Sequence, residues 1–355
     1  QELIKNHVSK KEKILFSLSE NYDYSFNKKL INKFRNFSYF RIIGMGGSIL
    51  GAEAIYRFLR HKIKKNFFFS NNLLGYVKNI NKKNIVNLII SKSGNTLETI
   101  SNSNIFLKSK NNIFITEVEE NYLNKLASQI KADVIEHKNY IGGRYSVLSE
   151  VGMLPAQLMG LNEKKFKRLN YLIHNKIFIN QLIKNVSSTL NLVKKGKYIS
   201  VILNYDDKSE SLLKWYQQLI AESLGKKSKG ILPIISTMPK DNHSLMQFYL
   251  DGPKRNFYTF FNVFEKNSNK ISNKFLFKSH NYLKNKNLIE IINFQKLATQ
   301  NVFKRKNIPY RSFEILNRDE QTLGEIFCFF ILETILLGKA LKVNPFDQPS
   351  VELIK

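Results

Sequence analysis

The chain has one cysteine, Cys328, in 355 residues. No intrachain disulfide and no cysteine-based zinc site can form, which fits a reducing compartment and gives a cytoplasmic protein as the expectation. Cys328 lies in the apolar run Ile326-Phe327-Cys328-Phe329-Phe330, where a core thiol is expected ahead of a nucleophile. Acidic residues are scarce, with 28 Asp and Glu against 56 Lys and Arg, a formal net charge of +28. A long apolar span is missing too. The stretch from Ile326 to Leu337 contains Glu333 and falls short of a membrane span. The opening Gln1-Glu2-Leu3-Ile4-Lys5-Asn6-His7 has no apolar core, so no signal peptide is read there. It does not begin with Met, and the chain stops inside a motif, so trimmed ends are expected. Neither a His pair at metal spacing nor a Gly-X-Ser-X-Gly elbow occurs.

Hydrophobic content of 43% with 27 Phe is enough for sizeable cores, and the length predicts two domains. The positive charge points to anionic partners. Its lysines are scattered, and short runs such as Lys62-Ile63-Lys64-Lys65 and Lys226-Lys227-Ser228-Lys229 read as solvated surface. A nucleic-acid binder stays open as a competing class, but no recognisable module supports it.

Residues 1–35 read as a charged helical lead-in. Strands are then expected at Phe40–Ile43, Phe67–Phe69, Ile85–Ile90 and Asn112–Thr116, with helices at Ile49–Leu59, Leu97–Lys108 and Tyr122–Ile130. Such alternation predicts a parallel, doubly wound sheet, with ligands at the carboxyl ends of the strands. Residues 161–195 read as helical linkage. A second cycle follows, with strands at Lys197–Leu203, Ile231–Ile235, Phe257–Phe261 and Ile289–Ile292. Helices are expected at Ser211–Leu224, His243–Leu250, Phe294–Lys304 and Asp319–Leu341. The expected units are 36–160, 196–343 and a separate C-terminal motif, 344–355.

Chemistry is concentrated in six places. Ser91-Lys92-Ser93-Gly94-Asn95-Thr96 follows a buried strand and opens a helix, a setting in which free N–H groups, the helix dipole and hydroxyls can hold a phosphate. An ordinary turn with capping Ser and Thr reads the same way. Gly44-Met45-Gly46-Gly47-Ser48 lacks both the dinucleotide fingerprint and the P-loop lysine, and reads as a close-approach turn or a packing turn. Gly142-Gly143-Arg144 gives a guanidinium room to meet an oxyanion, or is a surface loop. Glu222, near the end of an apolar helix with Trp215, Tyr216 and Leu219, suits a general base or a solvated surface role. His243, in Asp241-Asn242-His243-Ser244, is an acid–base candidate or a capping residue, and Asn344 to Lys355 holds two prolines and ends on a lysine.

Taken in order, Gly-X-Gly-Gly-Ser, Ser-Lys-Ser-Gly-Asn-Thr-X-Glu-Thr, Gly-Gly-Arg-Tyr-Ser, Glu-Ser-X-Gly-Lys, the His-Ser turn and Asn-Pro-Phe-Asp-Gln-Pro-X-Val-Glu-X-X-Lys resemble the phosphoglucose isomerase family over residues 40–355. The resemblance implies an α/β fold of two SIS-type, doubly wound, parallel-sheet αβα sandwich domains. It implies interconversion of glucose 6-phosphate and fructose 6-phosphate through a cis-enediolate, without cofactor or metal, in a cytoplasmic homodimer that engages neither nucleic acid nor membrane. Phosphate would be held by Ser48, Ser91, Lys92, Ser93 and Thr96. Glu222 would move the proton, Arg144 would stabilise the enediolate, and His243 of the other subunit and Lys355 would act at ring opening. Gly47, Gly143, Glu98 and Gln348 would line the site. Departures from the pattern are Asp241-Asn242 before His243 and Ile354 before Lys355. A mixed glucose/mannose 6-phosphate isomerase and a non-catalytic SIS sugar-phosphate sensor are the alternatives.

Overall fold

A computed structural model of the chain describes residues 14–74, 84–265 and 268–354. Two wholly parallel sheets organise it. The first contains β1 (Tyr39–Ile43), β2 (Asn66–Ser70), β3 (Ile85–Ile90), β4 (Asn112–Thr116) and β5 (Asp133–Glu136), in the order β2-β1-β3-β4-β5. The second contains β6 (Ile199–Asn204), β7 (Leu232–Thr237), β8 (Asn256–Val263) and β9 (Tyr310–Ile315), in the order β7-β6-β8-β9. Every residue of β3 and of β8 is buried. That explains their nearly continuous apolar sequence, since helices cover both faces of a parallel sheet. These are the two SIS-type sandwiches that the motif order implied.

The strand order places the loops. From β1 the chain crosses to β2 on one side, then returns to β3 on the other, so the loops after β1 and β3 flank a topological switch point. Ile43 pairs in register with Ile89, which brings residues 44–48 and 91–96 to the same edge of the sheet. One apolar core joins the two sheets: Ile42 and Leu88 of the first share it with Ile202 and Phe261 of the second. The helix Glu210–Leu224 runs through this core, with Trp215 edge-on to Phe327 at 4.9 Å. Packing of that helix between the sandwiches is what carries its last turn, and Glu222, over the first sheet's loops.

Several sequence expectations need correction. Ile289–Ile292 is not a strand but the first turn of a helix, Leu288–Arg305. Its β-branched run suggested a strand, but a capping box decides the outcome. Asn287 Oδ1 accepts from Glu290 N at 3.0 Å and Glu290 Oε2 accepts from Asn287 N at 2.9 Å. Around His243 the helix begins only at Met246, after a 3₁₀ turn, Lys240–His243. The lead-in is a 3₁₀ turn, Ile14–Leu18, and a helix, Lys28–Phe34, joined by an irregular segment, while residues 1–13 lie outside the described residues. Buried Lys167 pins it by donating to Leu148 O at 2.5 Å and to Ser17 O. Strands β5 and β9 were missed because both carry half-exposed or polar residues at most positions.

The second sheet has its own switch point between β6 and β8, and it is filled. Arg318 Nη2 lies 2.7 Å from Asp206 Oδ1, just beyond β6, and its Nε lies 2.6 Å from Glu265 Oε1, just beyond β8. Arg318→Met leaves the buried Asp206 carboxylate without its cation, while Glu265 keeps Lys208 at 3.0 Å. Loss of about 3–5 kcal/mol of stability is expected, the usual cost of removing one partner from a buried pair. Denaturant unfolding of the variant against the wild type checks it, and an unchanged midpoint would contradict this account.

Candidate active site

The loop after β3 departs from an ordinary capped turn. Thr96 precedes the helix Leu97–Phe106 but makes no side-chain cap bond; its hydroxyl instead lies 2.9 Å from Ser91 Oγ. The backbone N–H groups of Lys92, Ser93 and Thr96 have no acceptor among the described residues. Donors left over at a helix N-terminus, beside paired hydroxyls, form an anion cradle. Gly94 makes the turn possible, with φ of +65° and a position where a Cβ would lie 2.0 Å from Asn121 Oδ1. Ser93 is exposed and lends its Oγ to Asn95 N at 3.3 Å.

The ammonium of Lys92 does not face this cradle. It donates to Asn139 O at 2.7 Å and lies 3.5 Å from Glu117 Oε1. Within the loop, Lys92 therefore presents its main chain, while its side chain braces the segment that leads to Gly142-Gly143-Arg144.

The turn after β1 is welded to that segment. A Cβ on Gly47 would lie 2.2 Å from the carbonyl carbon of Gly143 and 2.4 Å from Arg144 N, so the two backbones touch where Gly47 cannot carry a side chain. Ser48 is buried in the same turn. Gly46 abuts Gln218 of the helix Glu210–Leu224.

Arg144 is buried and bonded through every nitrogen. Nε donates to Ser223 Oγ at 2.8 Å, and Nη2 donates to Pro345 O at 2.8 Å and Asp347 O at 2.9 Å. Nη1 meets Gln348 Oε1 and lies 3.2 Å from Glu222 Oε1. Glu222 Oε2 accepts from Gln218 Nε2 at 3.0 Å. The Glu222 carboxylate thus stands between an amide and a guanidinium, at the end of a helix whose previous turn touches the Gly46 turn. Chemically, the arrangement offers a carboxylate base, a fixed cation for developing negative charge and a separate anion cradle.

Sequence reasoning missed Gln218, Ser223 and Tyr145. Gln218 is four residues before Glu222 and so on the same helical face, a spacing that could have flagged it. Tyr145 donates to Pro345 O at 3.0 Å, and its hydroxyl lies 2.9 Å from Ser223 Oγ. Two expected residues, His243 and Glu98, are not joined to this network among the described residues. His243 is exposed in its turn after β7, and no bond, ion pair or ring contact among the described residues links it to Arg144 or Glu222. Glu98 is half-buried in the first turn of its helix. Lys355 lies outside the described residues. Cys328 is buried and its thiol is pushed up to about 12 by burial, which fits a core residue. No group of three His, Cys, Asp or Glu among the described residues can hold a metal ion.

The family model for phosphoglucose isomerase matches residues 32–238. A probable glucose-6-phosphate isomerase from Methanococcus maripaludis is 32% identical over 345 residues, covering 90% of this chain and 77% of the relative. A glucose-6-phosphate isomerase from Methanocaldococcus jannaschii is 31% identical over 354 residues, covering 93% and 85%. Among solved structures, a hypothetical protein from Thermus thermophilus superposes with a TM-score of 0.84 at 20% identity, covering 99% of this chain and 91% of that one. The glucose-6-phosphate isomerase of Chlamydia trachomatis gives 0.72 at 17% identity, covering 99% and 72%.

Three substitutions separate the parts of the cleft. Gly47→Ala forces the Gly143 backbone away, so a loss of turnover of about a hundredfold is expected from misplacement alone. Because the Lys92 ammonium is aimed elsewhere, Lys92→Met is expected to weaken binding of inorganic phosphate less than Ser91→Ala does. Isothermal titration of both variants checks the order, and the reverse order would place the ammonium in the cradle.

Proposed function

Because the chain belongs to the phosphoglucose isomerase family, we propose that the cleft around Arg144 is its catalytic centre and that Glu222 is its base. The protein is a glucose-6-phosphate isomerase, an aldose–ketose isomerase that interconverts glucose 6-phosphate and fructose 6-phosphate. The observation that carries the site reading is the position of the Glu222 carboxylate. It is held by Gln218 and Arg144, on a helix packed against the turn that flanks the anion cradle.

In this reading the phosphate end of the sugar sits on Ser48, Ser91, Ser93, Thr96 and the main chain of Lys92. Gly47 and Gly143 allow close approach, while Glu98 and Gln348 line the walls. Glu222 removes the C2 proton of the open-chain aldose and returns it to C1. The charge that builds on the oxygens of the enediolate is met by the positive charge of Arg144, which its protein partners hold in place. His243 and Lys355 serve ring opening. A sugar-phosphate sensor needs the cradle alone and gives no reason for the Glu222–Arg144 pair.

The same reading makes the chain a cytoplasmic homodimer in which His243 reaches the partner's site. Support comes from its surroundings: His243 is exposed, and Leu245 and Phe248 beside it are 38% and 53% exposed. An apolar turn left open next to a histidine without a local site partner suits coverage by a second copy. Among the described residues, no helix is long and apolar enough to cross a membrane.

Glu222→Gln is expected to fold normally and to lower turnover of fructose 6-phosphate by at least about a hundredfold, as for loss of a general base. An unchanged rate would remove Glu222 from the role. Mixing inactive Glu222→Gln and His243→Ala chains tests the shared site. A mixed dimer then holds one intact site, so activity is expected to return on subunit exchange; no return would place His243 in its own chain's site.

A further inference from the structure

The basic run Lys226–Lys229, expected to be solvated surface, is a tight turn directed at the active centre. Lys226 N donates to Lys229 O at 3.1 Å and Lys229 N to Lys226 O at 2.9 Å. Lys227 and Ser228 between them have φ of +53° and +56°. Two successive non-glycine residues in the left-handed region carry a conformational cost, and such a turn persists only where its surroundings over-determine it.

Those surroundings are the loop that ends the described chain. Lys226 Nζ donates to Asp347 O and lies against Asp347 Oδ1, both at 2.6 Å, and also donates to Asn344 O. Its side chain is only 11% exposed. Asn344 Nδ2 closes the group by donating to Asp347 Oδ2 at 2.8 Å. The hydrogen bond from Lys226 leads the influences that hold the Asp347 carboxyl below the usual range. Lys229 Nζ, from the other end of the turn, donates at 3.0 Å to Leu341 O, the last carbonyl of the helix Glu320–Leu341. Both lysines therefore grip main-chain carbonyls of residues 341–347. This is the loop that supplies Pro345 O, Asp347 O and Gln348 Oε1 to Arg144, and Asp347 O accepts from Lys226 and Arg144 together.

We propose that Lys226 is a positioning residue for the isomerisation. It clamps residues 344–347 to the end of the Glu222 helix, so that Gln348 is held against Arg144 and the following residues enter the cleft on a fixed path. It touches none of the reacting atoms. The choice of turnover assay rests on the function proposed above; the clamp itself does not.

The test compares wild type, Lys226→Met, Lys226→Arg, and Lys227→Met as a control on an exposed neighbour in the same turn. Three readouts are taken: turnover of fructose 6-phosphate, thermal unfolding, and hydrogen exchange of the Phe346 and Val351 amides, which are bonded within the loop. Lys226→Met is expected to lower kcat by about ten- to a hundredfold, the scale of a misplaced group. KM should stay within about threefold, because the phosphate cradle is untouched. The loop amides exchange faster, Lys226→Arg recovers most of kcat, and Lys227→Met behaves as wild type. Asp347→Ala, a milder change that removes one acceptor, is expected to lower kcat by about three- to tenfold and stands in should Lys226→Met not fold. A kcat within about twofold of wild type in Lys226→Met, or a rise in KM with kcat kept, overturns the proposal. Wild type without turnover would instead defeat the isomerase reading; hydrogen exchange then decides the clamp, and unchanged exchange overturns it.

Discussion

A buried guanidinium bonded through every nitrogen is the constraint on which the proposed catalytic half of this molecule depends. Arg144 is held by Ser223 and Glu222 on one helix, by the carbonyls of Pro345 and Asp347, and by Gln348. Removing one of these acceptors leaves a buried charge short of a partner, at a cost of about 1–3 kcal/mol. Charge satisfaction thereby fixes three separate stretches of chain in one place. Gly47 does the complementary steric work: against Gly143 it brings the anion-cradle side and the guanidinium side into backbone contact, at a separation that a side chain on Gly47 would not allow.

Two copies of one fold have been put to different uses. Each sheet has a switch point at the carboxyl ends of its strands, where a doubly wound domain can take a ligand. In the first sheet the crevice is lined by glycines, hydroxyls and unpaired N–H groups. In the second it is occupied by Arg318, held between Asp206 and Glu265. The second sandwich contributes through its helix Glu210–Leu224, which packs on β7 and on the helix Leu50–Phe58 and lays Glu222 over the crevice of the first. Fold alone would have put a ligand in either domain; the side chains at the strand ends decide between them.

The sequence disclosed those parts whose signal is local. Buried strands such as Ile85–Ile90, the glycine turns and the hydroxyl loop were legible because apolar runs and turn residues act over a few positions. Ile289–Ile292 misled because its β-branching was louder than the Asn287–Glu290 capping box that starts the helix. β5 and β9 were silent because edge strands with polar faces need no apolar alternation. Within the site, Arg144, Glu222 and Gln348 were legible through the motif order, but their mutual bonds were not. The direction of the Lys92 ammonium toward Asn139 and the grip of Lys226 on Asn344 and Asp347 depend on the return of distant chain, which no window of sequence contains. In a chain with 56 basic residues, two lysines with specific partners look like all the others.

The partners of Arg144 in the C-terminal loop lie 201 to 204 positions after it. On a ribosome, the first sandwich is therefore complete long before its central cation can be satisfied. Until that loop is made, the guanidinium has Ser223 and Glu222 as partners but lacks Pro345, Asp347 and Gln348. The proposed catalytic centre is therefore assembled from widely separated stretches of chain, and its guanidinium is fully held only once the last of them has been added.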